Sequence, residues 1–286
     1  MTSVKSLLAK YGLRPRKALG QNFLIDRAAL LRVVEAANLT RNDTVIEVGP
    51  GLGLLTRELL QRVGRVIAVE KDEALARLLQ EELGQDPKLT VVAADMLHVA
   101  PESLLPGATI SYKVVANLPY YVASPILRRF LESSVKPSSL VVLLQREVAD
   151  NVAAKPGKMG LLSLAVQYYA VPTVLGIISP ESFYPPPKVV SAIVRLDVLP
   201  RPAIGVTADA LFRVARAAFS AKRKQIATPL SLGLHMDKAV VIAALRQAAI
   251  APERRAESLS LTEWEALCRA LPLLSSTTME DRPVGA

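Results

Sequence analysis

The sequence predicts an α/β protein with a parallel sheet covered by helices on both faces, followed by a smaller all-helical domain. Short apolar, β-branched runs alternate with helix-length amphipathic segments between residues 43 and 144, which is typical of parallel strands joined by helices. The first run ends in the glycine-rich turn GPGLG at residues 49–53. After residues 200–202, PRP, only helical patterns remain, so the second domain begins there.

Length and composition are consistent with two domains inside the cytoplasm. The chain has 286 residues, 51% of them hydrophobic, which is enough for two separate cores. No stretch reaches 18 uncharged apolar residues and the N-terminus has no apolar signal segment, so we expect no membrane association. One cysteine and two histidines argue against a disulfide framework or a structural zinc site, and we predict no metal.

The net charge of +9 is concentrated at the two ends of the chain. Residues 1–20 carry five basic side chains and no acidic one, residues 21–200 are balanced, and residues 201–274 hold 11 basic and 6 acidic side chains. Such clustering suits a phosphate backbone held at the rim of a site, although a generally basic surface is the alternative. We therefore expect a basic arm at 1–20, a domain at 21–200, a helical domain at 201–274 and a disordered tail at 275–286.

The elements of the larger domain follow in order after a loop-rich arm. Asp26 is predicted to cap the first helix. The predicted strands cover residues 43–48, 65–70, 89–93, 113–116, 140–144, 173–178 and 189–198, with helices at about 53–62, 72–83 and 124–130 and helical material up to Tyr169. Three prolines at 185–187 exclude that segment from a sheet interior. They hold Phe183 and Tyr184 either over a pocket or in the core.

The smaller domain is predicted to contain helices at about 208–220, 237–249 and 262–271, and one starting near Lys222 that Pro229 breaks. Trp264 and Leu267 are spaced as neighbours on one helix face, so we expect them in its core.

The glycine turn predicts a binding site for a nucleotide-like ligand. Gly49 and Gly51 lack side chains, so a ligand can approach the backbone between the strand and the next helix. Glu70 ends the second strand 21 residues after Gly49, the separation at which an acid accepts hydrogen bonds from ribose hydroxyls. Asp95 ends the third strand in the same way and is a candidate acceptor for an adenine amino group. For both acids the alternative is a helix cap.

A second cluster, Asn117-Leu118-Pro119-Tyr120, follows the fourth strand. A ribose-binding acid leaves nicotinamide and S-adenosyl-L-methionine open as ligands, but this tetrad has no evident role in hydride transfer. It suits methylation of an adenine amine. An amide oxygen and a main-chain carbonyl can accept the two N–H bonds, proline adds no competing donor, and the tyrosine ring can stack on the base.

These stretches resemble the ribosomal RNA adenine dimethyltransferase family, in particular its small-subunit branch. The matching segments are LGQNFL at 19–24, EVGPGLGLLT at 47–56, VIAVEKD at 66–72, AAD at 93–95, NLPYYVASPIL at 117–127, QREVADNVAA at 145–154, SFYPPPKVVSAIVRL at 182–196 and FSAKRKQI at 219–226. The resemblance implies a Rossmann-like class I methyltransferase sheet. It also implies N6,N6-dimethylation of two adjacent adenosines near the 3′ end of small-subunit rRNA, within an assembling 30S subunit.

The resemblance also assigns residues. It implies that S-adenosyl-L-methionine is held by Asn22, Leu24, Gly49, Glu70, Asp95 and Asn117, together with the turn residue Gly51, and the target adenine by Asn117, Leu118, Pro119, Tyr120 and Phe183. The basic residues expected to contact RNA are Arg14, Arg16, Lys17, Lys188, Lys222, Arg223 and Lys224. We expect a monomer and see no protein partner in the sequence.

Two other functions remain as alternatives. One is the related methylation of large-subunit rRNA that confers macrolide resistance, and the FYPPPKVVSAIVRL stretch favours the small-subunit enzyme over it. The other is a non-catalytic ribosome assembly factor that keeps the cofactor fold, which the intact tetrad at 117–120 disfavours.

Overall fold

The computed structural model describes residues 4–105, 111–221 and 223–272, and of Lys17 only the backbone. It divides into two compact units, the first comprising Met1–Ala153 and Tyr169–Arg201 and the second Ala154–Tyr168 and Pro202–Ala286. Residues 154–168, expected in the larger domain, thus cluster with the C-terminal one. The expected tail at 275–286 lies outside the described residues.

The first unit contains a seven-stranded mixed sheet and a separate two-stranded ribbon. The strands are β1 (Phe23–Leu24), β2 (Thr44–Val48), β3 (Arg65–Glu70), β4 (Leu89–Ala93), β5 (Tyr112–Asn117), β6 (Ser139–Gln145), β7 (Ala170–Ile178), β8 (Phe183–Tyr184) and β9 (Ser191–Val198). The sheet order is β4-β3-β2-β5-β6-β9-β7, and β1 pairs with β8. The chain order reverses between β2 and β5, so the carboxyl ends of these two neighbours open a crevice, as in other open parallel sheets.

The five strands from β2 to β6 are parallel, as predicted, whereas β9 pairs antiparallel with both β6 and β7. The link between β7 and β9 explains their antiparallel pairing. It consists of residues 179–190 and contains no α-helix, whereas a parallel crossover needs a longer, usually helical link. The predicted second strand of this pair begins at Ser191 rather than at residue 189.

Helices of the first unit flank the sheet. They are α1 (Val4–Lys10), α2 (Arg27–Ala36), α3 (Leu54–Leu60), α4 (Glu73–Leu83), α5 (Ala123–Leu131) and α6 (Arg146–Val152). The predicted cap of α2 is confirmed, since Asp26 accepts a hydrogen bond from the amide of Ala28 at 2.9 Å. Residues of α2, α3 and the central strands form one apolar cluster, including Val33, Val45 and Leu59, each fully buried.

The predicted loop-rich arm contains an α-helix: residues 11–16 have neither helix nor strand, but residues 4–10 are helical. This helix is α1, whose Leu7 and Leu8 are buried in a cluster with Phe23, Leu75 and Leu78. Because these apolar contacts remove the leucines from water, the arm is packed onto the domain and has more than a charge role.

The second unit is helical and holds α7 (Leu161–Tyr169), α8 (Ala208–Phe219), α9 (Ala227–Leu234), α10 (Lys238–Gln247) and α11 (Leu261–Ala270). Trp264 and Leu267 are fully buried, so their predicted place in the core is confirmed. The expectation that Pro229 breaks a helix is wrong. Pro229 lies in the first turn of α9, where amide groups have no partner within the helix and proline is tolerated.

Candidate functional site

The glycine turn after β2 is built by backbone geometry that only glycine adopts easily. Gly49, Gly51 and Gly53 have φ values of 68°, 57° and 73°, in the left-handed region that penalises other residues. A Cβ on Gly51 would lie 2.9 Å from the ring of Phe23. The absence of a side chain at Gly51 thus lets Phe23 of β1 pack against the turn.

Glu70 holds this turn in place from the end of β3. Its side chain is 6% exposed, and its two carboxylate oxygens accept hydrogen bonds from the amides of Gly51 (3.0 Å) and Asp72 (2.9 Å). Desolvation raises the pKa of Glu70, while these backbone hydrogen bonds oppose the rise. The helix-cap alternative does not hold for Glu70, because it is Asp72 that caps α4 through the amide of Ala74.

Asp95, after β4, forms a salt bridge at 2.8 Å with Lys71 and accepts a hydrogen bond from the amide of Leu97 at 3.0 Å. Partial desolvation acts to raise the pKa of Asp95, but the hydrogen bonds from Lys71 and Leu97 outweigh it and the pKa is lowered. Asp95 is therefore both a turn former and a charged acceptor beside the crevice.

The tetrad at 117–120 starts on the last residue of β5. The Nδ2 of Asn117 donates to the carbonyl oxygen of Asn22 at 2.9 Å, which fixes the amide so that its Oδ1 is the atom left to accept. Within the described parts of the chain no hydrogen bond reaches that Oδ1. Leu118 is 2% exposed, and the hydroxyl of Tyr120 lies 2.7 Å from that of Ser191.

These elements line a cleft that is open to solvent on one part, with about 830 Å³ of empty space including that open part. Nine of the predicted site residues line it: Asn22, Gly49, Gly51, Glu70, Asp95, Asn117, Leu118, Pro119 and Tyr120. The structure therefore brings together the glycine turn, the two strand-end acids and the tetrad, which are up to 71 residues apart in the sequence.

Two predicted residues do not reach this cleft. Leu24 and Phe183 face each other across the β1–β8 ribbon and are 5% and 2% exposed, within the apolar core. Phe183 lies in the core, one of the two places that the sequence predicted for it, and its contact with the target adenine stays a prediction.

Comparison with known proteins identifies the family. The profile described as Ribosomal RNA adenine dimethylase matches residues 12–270. A Ribosomal RNA small subunit methyltransferase A of Dehalococcoides mccartyi is 47% identical over 270 residues, which cover 94% of this chain and 92% of that protein. The chain belongs to the ribosomal RNA adenine dimethylase family.

Other relatives of this dimethylase support the same family membership. A protein of the same name from Alkaliphilus oremlandii is 41% identical over 275 residues, covering 93% of this chain and 95% of the relative. The crystal structure of the 23S rRNA methyltransferase ErmE has 30% identity and a TM-score of 0.69, over 87% of this chain and 99% of that one. A dimethyladenosine transferase from Plasmodium falciparum shares the fold, with a TM-score of 0.72, 22% identity, and coverage of 86% and 95%.

The basic residues expected at the RNA have different surroundings in this dimethylase. Arg14 and Lys188 of the first unit and Arg223 and Lys224 of the second are exposed. Arg16 forms a salt bridge with Asp72 at 3.3 Å, so part of its charge is used within the protein. Lys222 and the side chain of Lys17 lie outside the described residues.

Of three notable residues that the sequence analysis did not single out, one lines the cleft and two do not. Gln21 lines the cleft and donates to the carboxylate of Asp72 at 3.0 Å, and Ser191 anchors Tyr120. Glu47, in the middle of β2, is 1% exposed, and its Oε2 has no hydrogen-bond partner among the described residues. Glu47 was visible in the sequence as the acid in EVGPG, and all five residues of its strand are buried.

The described residues offer neither a membrane-spanning helix nor a cluster of metal ligands. None of their helices is long and apolar enough to cross a membrane, and they contain no group of three or more His, Cys, Asp or Glu side chains placed to hold a metal ion.

Proposed function

We propose that this dimethylase transfers methyl groups from S-adenosyl-L-methionine to the N6 atoms of two adjacent adenosines near the 3′ end of small-subunit rRNA. The observation that carries the proposal is the fixed amide of Asn117, whose Oδ1 faces no partner in the described chain and belongs to a tetrad lining the cleft. The choice of subunit is supported by identities of 47% to small-subunit enzymes and 30% to a large-subunit enzyme.

The cleft fits a nucleoside-bearing cofactor on the carboxylate side. Each oxygen of Glu70 accepts one backbone hydrogen bond and retains a lone pair that ribose hydroxyls can use. Gly49 and Gly51 keep the turn free of side chains, and Asp95 offers an acceptor to an adenine amine. Asn22 would contact the cofactor from the wall of the cleft. Leu24 is buried and would only support that wall. When bound, the cofactor supplies a methyl group activated by a positively charged sulfur.

The tetrad would hold the target adenine. An N6 amine is a weak nucleophile because its lone pair is delocalised into the ring. When the Oδ1 of Asn117 and the carbonyl of Leu118 or Pro119 accept hydrogen bonds from its N–H groups, the nitrogen would become pyramidal and its lone pair localised. The new N–C bond would form as the methyl carbon leaves the sulfur, and the nitrogen would then lose a proton. Positioning and hydrogen bonding then provide most of the catalysis. Tyr120 would stack on the base, which must leave its own helix or be unpaired.

Phe183 would support the adenine site from the core. Its ring is buried in the β1–β8 ribbon and holds the segment that carries Asn22 close to the cleft.

The exposed cations would contact the RNA backbone. Arg14 and Lys188 on the first unit and Arg223 and Lys224 on the second supply positive charge without base specificity. We assign methyl transfer to the first unit and additional RNA contacts to the second, with the assembling 30S subunit as substrate and the protein acting as a cytoplasmic monomer.

The deciding experiment is transfer of labelled methyl groups from S-adenosyl-L-methionine to small subunits that lack this modification, with mapping of the modified bases. We expect two dimethylated adjacent adenosines in small subunits and none in large subunits. Label in the large subunit would favour the macrolide-resistance activity. Tight binding to small subunits without any transfer would favour an assembly factor.

A further inference from the structure

We propose that Ser191 is a positioning residue for methyl transfer and that it acts by fixing the ring of Tyr120. The inference rests on the proposed function, which places Tyr120 against the target adenine. Ser191 itself does not line the cleft, so any effect on the reaction must pass through the tyrosine.

The serine hydroxyl is held rigidly. Ser191 is fully buried and is the first residue of β9, where it is in register with Gln145 of β6 on one side and Ile178 of β7 on the other. The two neighbouring strands fix its backbone and complete burial restricts its side chain, so its hydroxyl is held 2.7 Å from the hydroxyl of Tyr120.

Tyr120 needs such a fixed point. It lies outside the sheet, on a short 3₁₀ turn over Tyr120–Val122 that follows β5, and it lines the cleft. The adjoining Leu118 is anchored by burial, but the tyrosine side chain can change its χ1 rotamer unless its far end is held. Burial raises the pKa of Tyr120 and the hydrogen bond to Ser191 opposes the rise, as expected for a hydroxyl inside a partly dry contact.

The consequence is a kinetic one. A ring held in one orientation keeps the adenine amine aligned with Asn117, whereas a ring that samples several orientations lowers the fraction of bound substrate in reactive geometry. Affinity for RNA depends mainly on phosphate contacts elsewhere. Removal of the hydroxyl pair should therefore reduce kcat and leave KM for the RNA nearly unchanged.

The test is a double-mutant cycle with Ser191→Ala, Tyr120→Phe and the combined variant, each assayed with small subunits. Each single change removes the same hydrogen bond from one side and retains the ring. We expect kcat to fall about threefold to tenfold in either variant, the size of one neutral hydrogen bond. The double variant should be no slower than the slower single one. KM and the calorimetric Kd for S-adenosyl-L-methionine should stay within about twofold.

A matched control is Ser139→Ala, which removes another buried serine hydroxyl. Ser139 is the first residue of β6, whereas Ser191 pairs with Gln145, the last one, so this change should leave kcat unchanged. Wild-type kcat in Ser191→Ala, or additive reductions in the double variant, would overturn the inference while the proposed function stands. A reduction in Ser191→Ala that is matched by Ser139→Ala would assign both to general stability and also overturn it. If the wild-type protein transfers no methyl group, the proposed function fails and this inference falls with it.

Discussion

Residues at the cleft show how burial decides between two chemical roles of one side chain. From the sequence, Glu70 was either a ribose acceptor or an exposed helix cap. In the structure it is buried and holds the glycine turn, a role that the sequence did not predict, and its contact with ribose stays a prediction. Phe183 was expected either over a pocket or in the core, and it lies in the core. Sequence alone cannot resolve such pairs, since burial depends on partners far along the chain.

Glu47 gives a testable pH dependence at this scale. Desolvation raises the pKa of Glu47 to about 8. The hydroxyl of Thr56 opposes this rise, and the charge of Glu70 adds to it. In the unfolded chain the carboxyl titrates near its usual value of 4.5. Between these two values the folded protein binds one proton more than the unfolded chain. The free energy of unfolding should therefore decrease as pH rises from about 4.5 through about 8.

Glu47→Gln is expected to remove this dependence, because the amide stays neutral at every pH. Thermal unfolding of both proteins at pH 5.5 and pH 8.5 measures it: the Tm advantage of the variant should be larger at pH 8.5. The exposed Glu81→Gln is the control and should shift Tm equally at both pH values. An equal shift for Glu47→Gln as well would show that Glu47 is already ionised in the folded protein.

At the scale of elements, prediction succeeded where the pattern is long and local. The strands from β2 to β6 and helices α4 and α5 lie within a few residues of their predicted bounds, since apolar runs and amphipathic periods are read directly from the chain. Helix α1 was missed because its seven residues hold too few turns for a period to show. Its stability comes from tertiary contacts of Leu7 and Leu8, which no local pattern contains.

The packing of α1 predicts a link between the arm and cofactor binding. Leu8→Ala should loosen the arm, because Leu8 is 5% exposed in a cluster that includes Phe23 and Leu75, two residues of the cleft wall. We expect faster proteolysis near residues 4–16 and a Kd for S-adenosyl-L-methionine raised by about threefold to tenfold, a part of the usual cost of a buried leucine. Limited proteolysis and calorimetry measure the two effects.

The control for this variant is Ala9→Ser on the exposed face of the same helix, which should change neither quantity. Faster proteolysis with an unchanged cofactor Kd would show that the arm packs on the domain without supporting the site.

At the scale of the whole molecule, the two compact units are not continuous segments of the chain. Residues 154–168 join the C-terminal helices, where the amides of Gly157 and Met159 donate to the carbonyl of Glu257 at 2.8 and 3.2 Å. Partners a hundred residues apart leave no local signal, so the sequence predicted one boundary at about residue 201 and missed the second segment. The concentration of charge at the ends of the chain, in contrast, was readable from composition.

The basic run of the second unit predicts a change in salt dependence. Replacing Lys222, Arg223 and Lys224 by glutamine should reduce the slope of log affinity against log salt by about 0.7 to 0.9 for each phosphate that the protein no longer neutralises. Binding of the variant to small subunits between low and physiological salt measures it.

The matched control replaces three other arginines by glutamine. Each is already paired with an acid one helical turn away: Arg62, Arg77 and Arg269. Their variant should keep the wild-type slope. Equal slopes for wild type and the basic-run variant would mean that this run binds no phosphate.

The central claim is that the amide of Asn117 holds the target amine, and single-turnover methylation with saturating cofactor and small subunits tests it most directly. Asn117→Ala should slow the methyl-transfer step by about a hundredfold or more, the cost of removing one aligned hydrogen-bonding group from a reacting centre, while RNA affinity changes little. The exposed Asn42→Ala should react at the wild-type rate. A wild-type single-turnover rate in Asn117→Ala would contradict the account.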